Sequence, residues 1–192
     1  QLAIWYCNDM VVDRTGRASV GNFGFDVHTE AEPRPAEIIR VEPDGTATIE
    51  DDEVMFPNGS VITPDGGTLI VGESFGGRLT AFDIAEDGSL SNKRLWAQLQ
   101  EGAVPDGICL DVQGGIWSAS PLSNECMRLL ENGEVTHRID AGRSAIACTI
   151  GEGNLYVLTA TSLAPEQCRA NRDGRVEVYE APYAAALPLT DG

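Results

Sequence analysis

Residues 58–72 read NGSVITPDGGTLIVG: a short apolar run, a polar turn carrying two glycines, and a second apolar run. Asp-Gly between alternating apolar positions is a strong hairpin signal, because the turn needs a residue that tolerates positive φ and the flanking residues pleat alternately to two faces. The pattern recurs on both sides. Residues 8–21 read NDMVVDRTGRASVG, residues 106–119 DGICLDVQGGIWSA and residues 145–158 AIACTIGEGNLYVL. The starts at 8, 58, 106 and 145 lie 50, 48 and 39 positions apart. Strand-rich repeats at about 40–50 residues are what propeller blades produce. Second hairpins fall between the first ones, with turns at Asp44-Gly45, Asp87-Gly88 and Asn132-Gly133. Each repeat thus supplies two hairpins, or four strands, and no long helical periodicity interrupts the series. The expected fold is all-β, a β-propeller of four-stranded antiparallel blades. A β-sandwich is the structural alternative, but sandwich strands need not repeat one loop at a regular interval.

The same reading counts blades. Three are complete, and the fourth has its first hairpin followed by a single further strand at residues 175–179. Nothing after Pro182 reads as a fourth strand, while Leu2-Ala3-Ile4-Trp5 offers either a closing strand or the last strand of a preceding blade. Residues 1–192 are expected to form one propeller domain.

Composition narrows the function classes. With 30 acidic against 13 basic residues, the formal net charge is −17. Such a surface repels phosphate backbones, so no nucleic-acid partner is expected; solubility alone accounts for the charge, and a bound cation is compatible with it. No apolar run approaches the ~18–20 residues of a membrane span, so no membrane partner is expected. No basic stretch followed by an apolar one marks the N-terminus as a signal peptide. The five cysteines, Cys7, Cys109, Cys126, Cys148 and Cys168, are odd in number and show no CxxC spacing, which argues against a zinc ribbon or a disulfide scaffold. Reduced thiols and a cytoplasmic location are expected.

Four strings carry a resemblance: CNDMVVDRTGRASVGNFGFD at 7–26, FPNGSVITPDGGTLIVGES at 56–74, RLTAFDIAEDGSLS at 78–91 and VPDGICLDVQGGIWSAS at 104–120. The chain resembles the gluconolactonase/regucalcin family (senescence-marker-protein/gluconolactonase/luciferin-regenerating-enzyme-like proteins) over nearly its whole length, weakening after about Cys168. The resemblance implies a six-bladed propeller with a divalent metal at its axis and, often, hydrolysis of sugar lactones. It also implies that the first two blades of the family fold are missing here. By the family's motifs, Asn58 is a metal ligand through its side-chain carbonyl. Asp106 is a metal ligand and the general base, and Asn8 lines the axial site as a metal or substrate contact. The family's remaining ligand, a Glu, has no counterpart, and Tyr6 stands where the family often places a substrate-contacting Arg.

The residues read the same way on physical grounds. In a propeller the loop entering the innermost strand sits at the mouth of the central channel. Asn8, Asn58 and Asp106 share one register in three consecutive repeats and should converge there, while Ala145 leaves the fourth repeat without a ligand. Carboxylate and amide oxygens are hard donors suited to Ca²⁺, with Mg²⁺, Mn²⁺ or Zn²⁺ as substitutes. A single Asn-Gly or Asp-Gly loop is ordinary turn chemistry; three in register argue for a site. Asp9 and Gly107 read as loop geometry, and Asp13, Asp65 and Asp111 as structural turn residues. The stretch at 22–35, with Phe23 and Phe25, reads equally as a specificity loop or a plain connection. Ser74 and Ser120 lack a nucleophile-elbow setting, which disfavours a serine hydrolase.

Two functions follow. One is a divalent-metal-dependent hydrolase of sugar or related lactones, with Asp106 catalytic, Asn8 at the substrate and Asn58 and Asp106 on the metal. The other is a non-catalytic propeller module that binds a small molecule or a protein. Open blade edges also offer a route to self-association.

Overall fold

The structure, a computed structural model, describes residues 2–29 and 31–186; the remainder of the expected domain lies outside the described residues. The order of elements is β1 (Cys7–Val12), β2 (Ala18–Asn22), β3 (Ala36–Val41), β4 (Ala47–Val54), β5 (Pro57–Ile62), β6 (Thr68–Glu73), β7 (Arg78–Ile84) and β8 (Leu90–Gln98). There follow β9 (Ile108–Leu110), β10 (Ile116–Ser120), β11 (Glu125–Leu129), β12 (Val135–Asp140), β13 (Ser144–Gly151), β14 (Asn154–Ala160), α1 (Pro165–Asn171) and β15 (Arg175–Glu180). Strands pair antiparallel in sequence order as β1–β4, β5–β8 and β9–β12, with a three-stranded sheet β13–β15. The innermost strands β1, β5, β9 and β13 pack against one another in that order. These are the blades of a propeller, and the fourth has three strands, as the repeats imply.

The alternation of side chains along each strand assembles the layers between blades. Leu69 and Val71 of β6 face the first blade, joining Ile38, Val54 and Phe82, whereas Ile70 between them faces the third. Ile116 of β10 packs back onto the second blade with Met127 and Leu129; Trp117 turns to the fourth with Ala145, Leu155 and Val157. Each fully buried aliphatic side chain of this kind contributes about 1.5–3 kcal/mol. The outer faces of the first and fourth blades leave apolar side chains in solvent, Met10, Val12 and Ile49 on one, Val176 and Val178 on the other.

The recurrent acidic residues of the first-hairpin turns are structural. Oδ1 of Asp13 accepts from the Thr15 and Arg17 amides, that of Asp65 from Gly67, and that of Asp111 from Gln113 and Gly115. Asp111 also forms a buried bidentate pair with Arg128, whose guanidinium lies over the Tyr183 ring with Cζ 4.4 Å from its centroid. Tyr183 thereby ties down the segment after β15. Val112 donates to Ala184 and Ala186 donates to Leu110, so this segment runs beside β9 of the third blade and adds no strand to the fourth.

One expectation is corrected, and one short element is added. Residues 2–5 form no strand; the Ile4 amide instead donates to the buried carboxylate of Glu37. Helix α1 was not foreseen, since its seven residues bury no side chain and so impose no 3.6-residue apolar period. No helix among the described residues is long and apolar enough to cross a membrane.

Removing one member of a buried ion pair strands the other charge. Arg128→Met is expected to lower unfolding stability by about 3–5 kcal/mol, read as a reduced urea midpoint. Arg94→Met, which breaks the solvent-exposed pair with Asp83, should leave the midpoint nearly unchanged.

Candidate active site

The innermost strands come close enough for their backbones to bond across the blades. The Gly59 amide donates to the Asp106 carbonyl at 3.1 Å, and the Gly107 amide to the Ile146 carbonyl at 2.9 Å. This contact leaves no room for a side chain. A Cβ on Gly59 would stand 2.5 Å from the Asp106 carbonyl oxygen, and one on Gly107 would stand 2.7 Å from Cα of Ala147. The glycine after Asn58 and the glycine after Asp106 are thus packing requirements, and they set these two preceding side chains at the channel mouth. A bulge between Pro57 and Ser60 in β5, matched between Cys7 and Met10 in β1, re-aims Asn58 and Asn8 away from the pleat. The repeating bond also fixes the fourth register: the residue equivalent to Asp106 is Ile146, one position beyond Ala145. An aliphatic side chain stands there, so the fourth blade still offers no ligand.

Asn8, Asn58 and Asp106 line one cleft of about 1180 Å³. Nδ2 of Asn8 donates to the Pro57 carbonyl at 3.1 Å, pinning the first blade to the entry of β5. Asn58 is buried; its Nδ2 donates to Ser74 Oγ at 3.1 Å, and the Ser74 hydroxyl donates to the Pro105 carbonyl at 2.7 Å. Ser74 therefore joins the two loops that carry Asn58 and Asp106. Its proton is committed to a carbonyl, in keeping with the exclusion of a serine nucleophile. Beneath it, the fully buried Glu73 accepts from Arg78, from Thr80 and from the Met55 amide at 2.7 Å, holding the chain that leads into Asn58.

Asp106 is half-buried, and its pKa is raised to about 7. Desolvation is the largest cause and repulsion from Asp9 the second; a bond from Asn58 and the Gly107 amide oppose them. No cationic group is among the influences on it. Asp9 itself is raised by desolvation. Asp9, exposed in β1 and outside the cleft lining, is the neighbouring carboxylate whose charge contributes to that repulsion. Its position beside Asn8 in the bulge, where the second and third blades have glycine, was the available signal.

The donor chemistry fits a hard cation. One carboxylate and two side-chain amides line the cleft, residue types whose oxygens suit a hard cation, and Asp106, favoured in its neutral form by desolvation first and by Asp9 second, lacks a counter-charge. No group of three His, Cys, Asp or Glu side chains gathers among the described residues.

Phe23, Phe56 and Phe75 line the upper wall with Leu122 and Leu163, the last at the start of the α1 rim. The stretch at 22–35 is thus part of the cleft wall through Phe23, Val27 and His28. The Tyr6 side chain is 72% exposed and stands outside the lining.

Residues 5–161 match the family described as the SMP-30/Gluconolactonase/LRE-like region, and the chain belongs to that family. It is 27% identical over 160 residues to regucalcin of Danio rerio, covering 80% of this chain and 54% of that protein. The chain therefore spans about half the length of the curated relatives it matches. Among solved structures, a gluconolactonase from Xanthomonas campestris superposes with a TM-score of 0.68 at 26% identity, covering 81% of this chain and 54% of that one. A regucalcin from Agrobacterium tumefaciens, described as a calcium-binding protein, gives a TM-score of 0.72 at 19% identity over 94% of this chain and 62% of its own, a likeness of fold. Lactone hydrolases thus belong to the family that this chain joins.

The raised pKa of Asp106 has a signed consequence. Between about pH 4 and pH 7 the folded protein holds a proton that the unfolded chain has released, so stability of the metal-free protein should fall as pH rises through this window. Asp106→Asn is expected to flatten that slope and to be the more stable of the two at pH 8. Urea unfolding at pH 5 and pH 8 in chelator measures it.

Proposed function

We propose that this family member is a divalent-cation-dependent lactone hydrolase whose cleft is formed by Asn8, Asn58 and Asp106. The observation that carries the reading is the convergence of these three side chains on one cleft, with the only carboxylate among them held near pH 7 by burial and repulsion. Asn58 and Asp106 are the residues that would hold the cation. Ca²⁺ suits their oxygen donors best, with Mg²⁺, Mn²⁺ or Zn²⁺ as alternatives. A cation held there supplies Lewis-acid polarisation of the lactone carbonyl and countercharge for the oxyanion.

The chain's own residues do the rest. Asn8 presents an amide oxygen to the substrate from a side chain already fixed through its nitrogen. Asp106 accepts a proton from the water that attacks the carbonyl carbon. The ring C–O bond then breaks, the ring oxygen takes a proton, and a hydroxy acid leaves. Ser74 and Gly59 are positioning residues, acting only through Asn58 and Asp106.

A non-catalytic binding module is the second reading. Its support is the donor count: one carboxylate and two amides are fewer than the six to eight oxygens Ca²⁺ takes, so water or further groups must complete the shell. Acid release from a lactone panel with added metal separates the two readings.

Asp106→Ala is expected to remove cation binding, measured calorimetrically, and to lower metal-dependent lactone hydrolysis by at least about a hundredfold. Asn58→Ala should weaken the cation more than it changes the rate at saturating metal. Full activity in Asp106→Ala would overturn the assignment.

A further inference from the structure

We infer that the cleft selects lactones bearing an alkyl or aryl substituent over polyhydroxylated sugar lactones, an inference that rests on the lactone-hydrolase reading. A sugar lactone presents a hydroxyl on nearly every ring carbon, and each one buried without a partner costs about 1–3 kcal/mol. The floor has few donors to spare. One Nδ2–H of Asn8 is engaged with the Pro57 carbonyl, those of Asn58 with Ser74 and Asp106, and the Ser74 hydroxyl with the Pro105 carbonyl, which leaves a single Asn8 N–H for a ligand. The floor oxygens of Asn58 and Asp106 are those a cation would take. His28, Glu166, Gln167 and Arg169 stand at the rim, all exposed to solvent.

The wall between floor and rim is carbon, and it is fixed in place. Phe23 and Phe56 stack with centroids 4.8 Å apart, and Phe56 meets Phe75 at 5.2 Å. Buried Phe25 backs them, edge-on to Phe75 at 5.0 Å. Phe56 adopts φ of +60°, a backbone region that costs a large side chain energy and persists only where its surroundings over-determine it. Yet Phe75 remains 52% exposed and Leu122 across the cleft 66%. Rigid aromatic rings left open to a cleft are apolar area that a ligand can bury. A flat or extended hydrocarbon substituent fits that wall, with its lactone carbonyl directed at Asp106. A polyol would give up its water there for few new bonds.

The test uses paired lactams, 3,4-dihydroquinolin-2-one and gluconolactam, which copy lactones but resist opening. Binding to the 192-residue chain is followed by calorimetry, and hydrolysis of dihydrocoumarin and glucono-1,5-lactone is measured on the same preparations. The aryl lactam is expected to bind at least about tenfold tighter. Phe75→Ser and Leu122→Ser, both at exposed positions, should each cut that preference about fivefold. Equal or tighter binding of gluconolactam, binding of neither lactam at millimolar concentration, or a preference unchanged in both variants overturns the inference. An intact aryl preference without hydrolysis of either lactone overturns the hydrolase reading and leaves the selectivity standing.

Discussion

Around the channel, the Gly59 amide donates to the Asp106 carbonyl and the Gly107 amide donates to the Ile146 carbonyl. This bond requires the innermost strands to approach until no Cβ fits between them, and the layers of Ile, Leu, Val and Trp behind them hold the blades at that distance. One contact therefore does two things. It continues the sheet-like bonding from blade to blade, and it fixes the residue before each glycine where the blades meet. Asn58 and Asp106 lie 48 positions apart in the chain, yet their loops are joined by this bond and again through Ser74.

The electrostatics follow from that placement. Crowding three loops at one mouth removes water from Asp106 and brings Asp9 near it, and both effects favour the protonated form. The contrast with Asp111 is instructive. Asp106 stands just before β9 and Asp111 just after it, but Asp111 finds two backbone amides and a buried guanidinium, while Asp106 finds an amide side chain and one backbone N–H. A carboxylate that is supplied with partners consolidates the fold. A carboxylate that is denied a cation is available to bind one, or to take a proton.

Much of this was legible in the residue order. The turn pairs Asp65-Gly66, Asp44-Gly45, Asp87-Gly88 and Asn132-Gly133 mark hairpins because their geometry is local, and the common register of Asn8, Asn58 and Asp106 places them together because blades repeat. The rest depends on contacts between distant segments, which no local period encodes. The partner of Ile4 is Glu37, the segment after Pro182 is directed by Tyr183 on Arg128, and the four-phenylalanine wall joins residues from 23 to 75. The fourth register was misplaced by one residue because a bulge between Ala145 and Ala147 inserts Ile146, and a bulge has no signature in an apolar run. Helix α1, short and exposed, left no period to read.

The claim that three innermost-strand side chains make one cation site is tested most directly by crystals grown with Ca²⁺ and measured at long wavelength. An anomalous peak is expected at the channel mouth, about 2.3–2.6 Å from side-chain oxygens of both Asn58 and Asp106. A cation bound elsewhere, or an empty mouth at saturating Ca²⁺ with Asp106 ionised, would contradict it.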